Sequence, residues 1–192
     1  MRMMRLRNKR GFTLIEMVVI LAVIGILAAV LTPMLTSYID DARQTRAESD
    51  VKAIGAAICA FNKDLRKWPF RSSGTATYDV LYSQDGDHAT VATGKSFNTS
   101  TNGDTLEDQL ITNGPGYSTS GKRKWRGPYL ESINADPWGN KYYVNVKYLK
   151  PGHSGYAVFV LSAGPDGEVD TDDEQTVTEF SVGDDDIVYR IK

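Results

Sequence analysis

From Phe12 to Leu35 the chain reads as 24 positions of apolar residues, interrupted only by Thr13, Glu16, Thr32 and Pro33. About 20 such residues cross a bilayer as a helix. Past Pro33 the pattern changes from continuous to periodic. Ala47, Val51, Ile54, Ile58, Phe61 and Leu65 recur at alternating spacings of four and three, while Asp40, Asp41, Arg43, Arg46, Glu48, Asp50 and Lys52 fall mostly between them. That is one apolar stripe of an amphipathic helix, and it must be buried against another layer. The spacing predicts a single long helix from Phe12 to about Asp64. Residues 12–36 form its membrane-spanning half and 37–69 its amphipathic half, which Trp68-Pro69 ends because a residue preceding proline is pushed out of the helical region. Cys59 lies beside the stripe and is read as a small buried residue.

Residues 70–124 lose this periodicity. Ser, Thr, Gly, Asn and Asp dominate, as in a long variable loop or insertion. Tyr78–Tyr82 and Leu106–Ile111 are apolar enough for an edge strand or a turn of helix. Pattern returns in residues 125–192. Asp136-Pro137-Trp138-Gly139-Asn140 is a tight-turn signal. Lys141–Tyr148 and Tyr156–Ser162 are rich in aromatic and β-branched residues and read as antiparallel strands joined through Gly152–Gly155. Ile187–Ile191 is a candidate third strand. The pattern as a whole predicts an α+β fold, a long N-terminal helix packed on a small antiparallel sheet.

Charge is unevenly distributed. The chain has 22 basic and 24 acidic residues, and Arg2, Arg5, Arg7, Lys9 and Arg10 all precede Gly11. Without those five the remainder holds 17 basic against 24 acidic residues, a net charge of −7. No nucleic-acid partner is expected of so acidic a body. One cysteine permits no internal disulfide, and with two histidines it does not suggest a Cys/His zinc centre. His88 and His153 fall in expected loops, and no phosphate loop, nucleophile elbow or Cys/His pair is present. The chain is therefore not expected to be an enzyme. A short basic cluster, Lys122, Arg123, Lys124 and Arg126 around Trp125, is open to two readings, a solvated loop or a contact for an acidic neighbouring subunit.

Glu16 decides what the N-terminal segment is. A charge inside an apolar run opposes membrane insertion. A cleaved secretory signal, with Ala28–Ala29 as its small-residue site, and a plain membrane anchor both leave the glutamate unexplained. The stretch Gly11-Phe12-Thr13-Leu14-Ile15-Glu16 behind a basic leader resembles the processing signature of type IV pilins and type II secretion pseudopilins. The resemblance implies a pilin-like fold and a leader, residues 1–11, removed by a prepilin peptidase between Gly11 and Phe12. Phe12 then becomes an N-methylated terminus. It also gives Glu16 a role. A new α-amine packed among apolar helices needs an anion, and a carboxylate there needs a cation, so Glu16 of one subunit pairs with the Phe12 nitrogen of its neighbour. Pro33 lies where the family often has a proline, which removes a backbone donor and bends or locally melts the helix.

Ten acids lie between Asp166 and Asp186, and no Lys or Arg occurs between Lys150 and Arg190. Like charge at that density favours a bound cation, and calcium takes six to eight oxygens in flexible geometry. Gly164-Pro165-Asp166-Gly167 can turn a carboxylate inward, and Asp184–Asp186 can close the site. The segment resembles the calcium loop of major pseudopilins. The resemblance implies Asp166, Asp184, Asp185 and the Ala163 carbonyl as ligands, with Asp172–Asp173 as an alternative pair.

The function implied by the resemblance is that of a structural subunit of a type II secretion pseudopilus. It is expected to sit in the bacterial inner membrane as a single-pass protein with its C-terminal domain in the periplasm, surrounded by lipid until assembly. Its expected partners are copies of itself, minor pseudopilins, the prepilin peptidase and the inner-membrane assembly platform. The alternative is a type IV pilin or minor pilin-like subunit for adhesion, motility or DNA uptake.

Overall fold

The apolar run and the periodic stripe form one helix, α1, Leu14–Leu65. The structure, a computed structural model, describes residues 11–71, 77–99 and 102–192, so leader residues 1–10 lie outside it. The chain divides into two compact units, Met1–Ala42 and Arg43–Lys192, and α1 contributes to both. Thr13 caps the start. Its carbonyl accepts from Met17 N–H, and its hydroxyl accepts from Glu16 N–H at 3.3 Å. In the first unit the apolar side chains from Phe12 to Leu35 are exposed, and α1 is long and apolar enough to cross a membrane. The helix continues through Pro33, so the local melting expected there does not occur. Nearby hydroxyls help satisfy helix carbonyls, Thr32 donating to Ala28 O at 2.8 Å and Thr36 to Pro33 O at 2.9 Å. The helix ends before Trp68-Pro69, because Arg66 takes a left-handed conformation (φ 55°) and donates its N–H to Asn62 O.

In the second unit all six stripe residues, Ala47 to Leu65, are buried. Cys59 is exposed, contrary to expectation. It follows the buried Ile58, and one residue turns a helical side chain about 100° away. The stripe packs on one face of a five-stranded sheet ordered β3-β1-β4-β5-β7, made of β1 Val80–Tyr82, β3 Gly103–Thr105, β4 Tyr142–Val144, β5 Phe159–Ser162 and β7 Ile187–Arg190. Two-residue strands β2, Thr90–Val91, and β6, Glu168–Val169, pair separately. The sheet is mixed rather than antiparallel: β1 and β3 run parallel, with Val80 opposite Gly103. The remaining pairs are antiparallel, with Tyr143 opposite Leu161 and Val160 opposite Tyr189.

Alternation along the strands divides the core into two layers. Leu81, Tyr142, Val144, Val160 and Ile187 face α1. Val80, Tyr143, Phe159 and Leu161 face away and are covered by Ala89, Phe97 and Val169, with Val177 and Phe180 at the edge. The middle region is thus more than a surface loop. It supplies β1, an interior strand, and Leu106 and Leu110 to the helix-side core. Leu110 belongs to a short π-helical turn, Asp108–Thr112. The strand expected over 141–148 ends at Val144, and Val146–Leu149 forms a 3-10 turn.

Candidate functional site

Two places carry the residues singled out by the sequence. At the N-terminus Gly11 and Phe12 precede α1 in exposed, non-helical backbone, with Phe12 74% exposed. Glu16 Oε2 accepts from both the N–H and the hydroxyl of Thr13, each at 2.8 Å. With the return bond from Glu16 N–H, Thr13-Leu14-Ile15-Glu16 is a capping box. The Thr-x-x-Glu spacing signals this second role for Glu16, in addition to the pairing with a neighbour's amine expected of it. Phe12, Ile15, Val19 and Ile20 surround the carboxylate in a shallow apolar hollow. One negative charge therefore sits in an exposed apolar surface beside the backbone where processing would leave an amine.

The second place is the loop after β5. Its backbone is folded by glycines at positive φ, Gly164 (66°) and Gly167 (72°). A Cβ on Gly164 would lie 2.6 Å from the Asp185 carbonyl oxygen, so the chain can approach this closely only without a side chain. Asp166, Asp170 and Asp185 each present a carboxylate oxygen, and the three oxygens lie within 4.8 Å of one another. Asp166 also accepts from Glu168 N–H at 2.8 Å, and Asp166 N–H reaches Asp185 Oδ2 at 3.4 Å. Asp185 Oδ1 is buried and makes no hydrogen bond. Burial and then the charge of Asp166 raise the Asp185 carboxyl above the usual range. Asp186, itself buried, holds the loop by accepting from Asp170 N–H at 2.9 Å and Thr171 N–H at 2.6 Å.

The Asp136–Asn140 turn supports the same loop. Asp136 Oδ1 accepts from Trp138 and Asn140 N–H at 3.0 and 2.7 Å, its Oδ2 accepts from Ser162 Oγ at 2.7 Å, and Asn140 Nδ2 donates to Gly164 O at 3.3 Å. Of the residues the sequence assigned to a cation, Asp166 and Asp185 come together. Asp184 is exposed and outside the group, and Ala163 is buried beside Gly164. Asp172 and Asp173 are engaged elsewhere, with Ser96 and Lys95. Asp170 joins this group without having been among the residues expected from the sequence. It follows β6, whose pairing with β2 joins segments 78 residues apart, Thr90 with Glu168, and no local signal reports that. The three-oxygen set, with an unpartnered buried oxygen, fits a hard divalent cation.

Residues 96–179 match the type II secretion system protein G family, and residues 6–32 match the prokaryotic N-terminal methylation motif. Type II secretion system core protein G of Escherichia coli K12 is 31% identical over 169 residues, covering 88% of this chain and 90% of that protein. The chain belongs to this family. Core protein G of Pseudomonas aeruginosa is 29% identical over 171 residues, covering 88% and 94%, and that of Aeromonas hydrophila is 28% identical, covering 89% and 93%. No solved structure is significantly similar. This core protein G family member thus combines both pieces of the sequence resemblance, the processing signature and the acidic C-terminal domain.

Proposed function

We propose that this chain is the core structural subunit of a type II secretion pseudopilus. It is cut between Gly11 and Phe12 by the prepilin peptidase, held in the inner membrane by the apolar half of α1 with residues 43–192 in the periplasm, and assembled with copies of itself and minor pseudopilins by the inner-membrane platform. The observation that carries this reading is the exposed apolar surface of Phe12–Leu35 with the Glu16 carboxylate set into it. Lipid covers such a surface before assembly, and neighbouring helices cover it afterwards. Glu16 then exchanges part of its bonding to Thr13 for the amine of an adjacent subunit.

Calcium is part of the same proposal. Asp166, Asp170 and Asp185 would hold it, with Asp170 in place of the expected Asp184. The ion would neutralise the converging carboxylates and fix the loop that the Asp136–Asn140 turn supports. The experiment is deletion and complementation of the gene in its own bacterium. Loss of exoprotein secretion with surface pili intact is expected. Loss of pili or of DNA uptake, with secretion intact, would replace this reading with that of a type IV pilin. Mass spectrometry of the mature chain is expected to begin at N-methylated Phe12.

A further inference from the structure

At the end of α1 the loop 117–129 is fixed by aromatic contacts. Phe61 meets Tyr117 and Tyr129 with ring centroids 5.0 and 5.7 Å apart, and Trp125 meets Tyr129 at 5.8 Å. Tyr129 Oη donates to Asp64 Oδ2 at 3.3 Å, and Arg126 Nε lies 3.8 Å from Asp64 Oδ1. These contacts hold Trp125 and Arg126, which directly follow Lys122, Arg123 and Lys124 in the loop, against the end of α1 that carries Lys63, Arg66 and Lys67. Lys124 is half-buried and the other five are exposed. Among the described residues none of the six is ion-paired, and the acid at this pole, Asp64, is already shared by Arg126 and Tyr129.

The acidic C-terminal segment lies elsewhere. Arg190 over the Phe180 ring and its hydrogen bond to Val177 O place residues 177–180 beside β7. Val177 and Phe180 pack on the sheet layer facing away from α1, whereas Phe61, Tyr117, Trp125 and Tyr129 belong to the α1 layer. Several acids of this segment have partners: Asp166, Asp185 and Asp186 with backbone N–H groups, Asp172 with Lys95, and Glu174 with Lys147. Glu179 and Asp184 are exposed and have no side-chain partner among the described residues. One chain therefore carries unpaired cations around the end of α1 and unpaired carboxylates on its acidic C-terminal segment.

We propose that the cationic pole, Lys63, Arg66, Lys67 and Lys122–Lys124, receives the Glu179–Asp184 surface of a second copy of this chain. The inference rests on the self-assembly reading above and names a surface for it beyond the apolar helix. Two different, complementary patches on one chain make a head-to-tail contact, which extends into a filament unless its rotation closes a ring. A net charge of −7 on the processed chain makes unguided approach of two copies repulsive. A local patch of the opposite sign steers approach and sets the register of subunits.

The test uses the full chain expressed with its secretion machinery, with filaments sheared from cells and quantified. Lys122→Glu with Arg123→Glu is expected to cut filament yield roughly tenfold, as is Glu179→Lys with Asp184→Lys. Combining all four is expected to restore most of the yield. As a second measurement, Arg123→Cys with Glu179→Cys in a Cys59→Ser background is expected to give an oxidised ladder of multimers. Normal yield in either charge-reversed pair, no restoration in the combination, or no ladder overturns the proposal. If wild type forms filaments and Glu16→Ala does not, such a result removes only this contact. If wild type forms no filament, the pseudopilus reading fails as well.

Discussion

Glu16 Oε2 accepts both the N–H and the hydroxyl of Thr13 at 2.8 Å. One carboxylate is thus both the cap of α1 and the anion available to a neighbouring subunit. The two roles separate by substitution. Glu16→Gln keeps an acceptor oxygen for the cap but removes the charge, whereas Thr13→Val removes the hydroxyl and leaves the charge. Both variants are expected to be processed at Gly11–Phe12. Thr13→Val is expected to assemble close to normally and Glu16→Gln poorly. Normal filament yield from Glu16→Gln would reduce Glu16 to a helix cap.

The cation group is tested on residues 38–192 produced without the apolar helix, by following Tm in calcium, magnesium and chelator. A site filled at 100 times its Kd stabilises by about 2.7 kcal/mol, which is roughly 5–10 °C for a unit of this size. The rise is expected with calcium and lost in Asp170→Asn and Asp185→Asn, while Asp184→Asn retains it. That pattern separates the group seen in the structure from the one expected from sequence. A rise abolished by Asp184→Asn and unaffected by Asp170→Asn would favour the sequence-based ligand set.

Asp173 supplies a pH test. Its carboxyl is buried, accepts a long hydrogen bond from Ser96 Oγ at 3.4 Å, and is pushed up to about 6 chiefly by burial. In the unfolded chain it titrates near 3.9. Between those values the folded state binds more protons, so stability is greatest at the acid end of the window and falls as pH rises from about 4 to about 6. Asp173→Asn is expected to flatten the slope of urea-midpoint against pH over that window, measured in chelator. An unchanged slope would show that Asp173 ionises in the folded protein as it does in the unfolded one.

The helix was legible in the sequence because its signals are local: a 24-residue apolar run and a stripe at helical spacing. The sheet was legible only in part. The antiparallel pairing of β4 and β5 and the placing of β7 followed from aromatic and β-branched runs. β1 and β3 have three residues each in polar surroundings, and their pairing crosses the 83–102 segment. β4 stops early because the Asn145 side chain takes over ladder bonding, donating to Ala157 O at 3.1 Å and accepting from Phe159 N–H at 2.9 Å. The cation group was half legible for a similar reason. Asp166 lies in a recognisable Gly-Pro-Asp-Gly turn, while Asp170 is placed by contacts distant in sequence: the β2–β6 pairing and the carboxylate of Asp186.

Gly55 tests how closely α1 lies on the sheet. It is buried, and a Cβ there would collide with the Tyr189 ring of β7 and approach Ile191 Cγ1 at 3.7 Å. The Tyr189 backbone is held by its ladder position opposite Val160, so the ring can yield only by rotating within the packed layer beneath α1. Gly55→Ala combines a gain in helix propensity of about 1 kcal/mol with this clash, and the two oppose each other. Gly55→Leu adds bulk with little further propensity, and overpacking of this kind costs about 1–3 kcal/mol. The expected order of urea midpoints is therefore wild type well above Gly55→Leu, with Gly55→Ala nearer wild type. Gly55→Leu combined with Tyr189→Ala is expected to recover more stability than the two separate effects predict, because the ring that clashes has been removed. Strict additivity in that cycle would mean that α1 does not press on Tyr189 in solution.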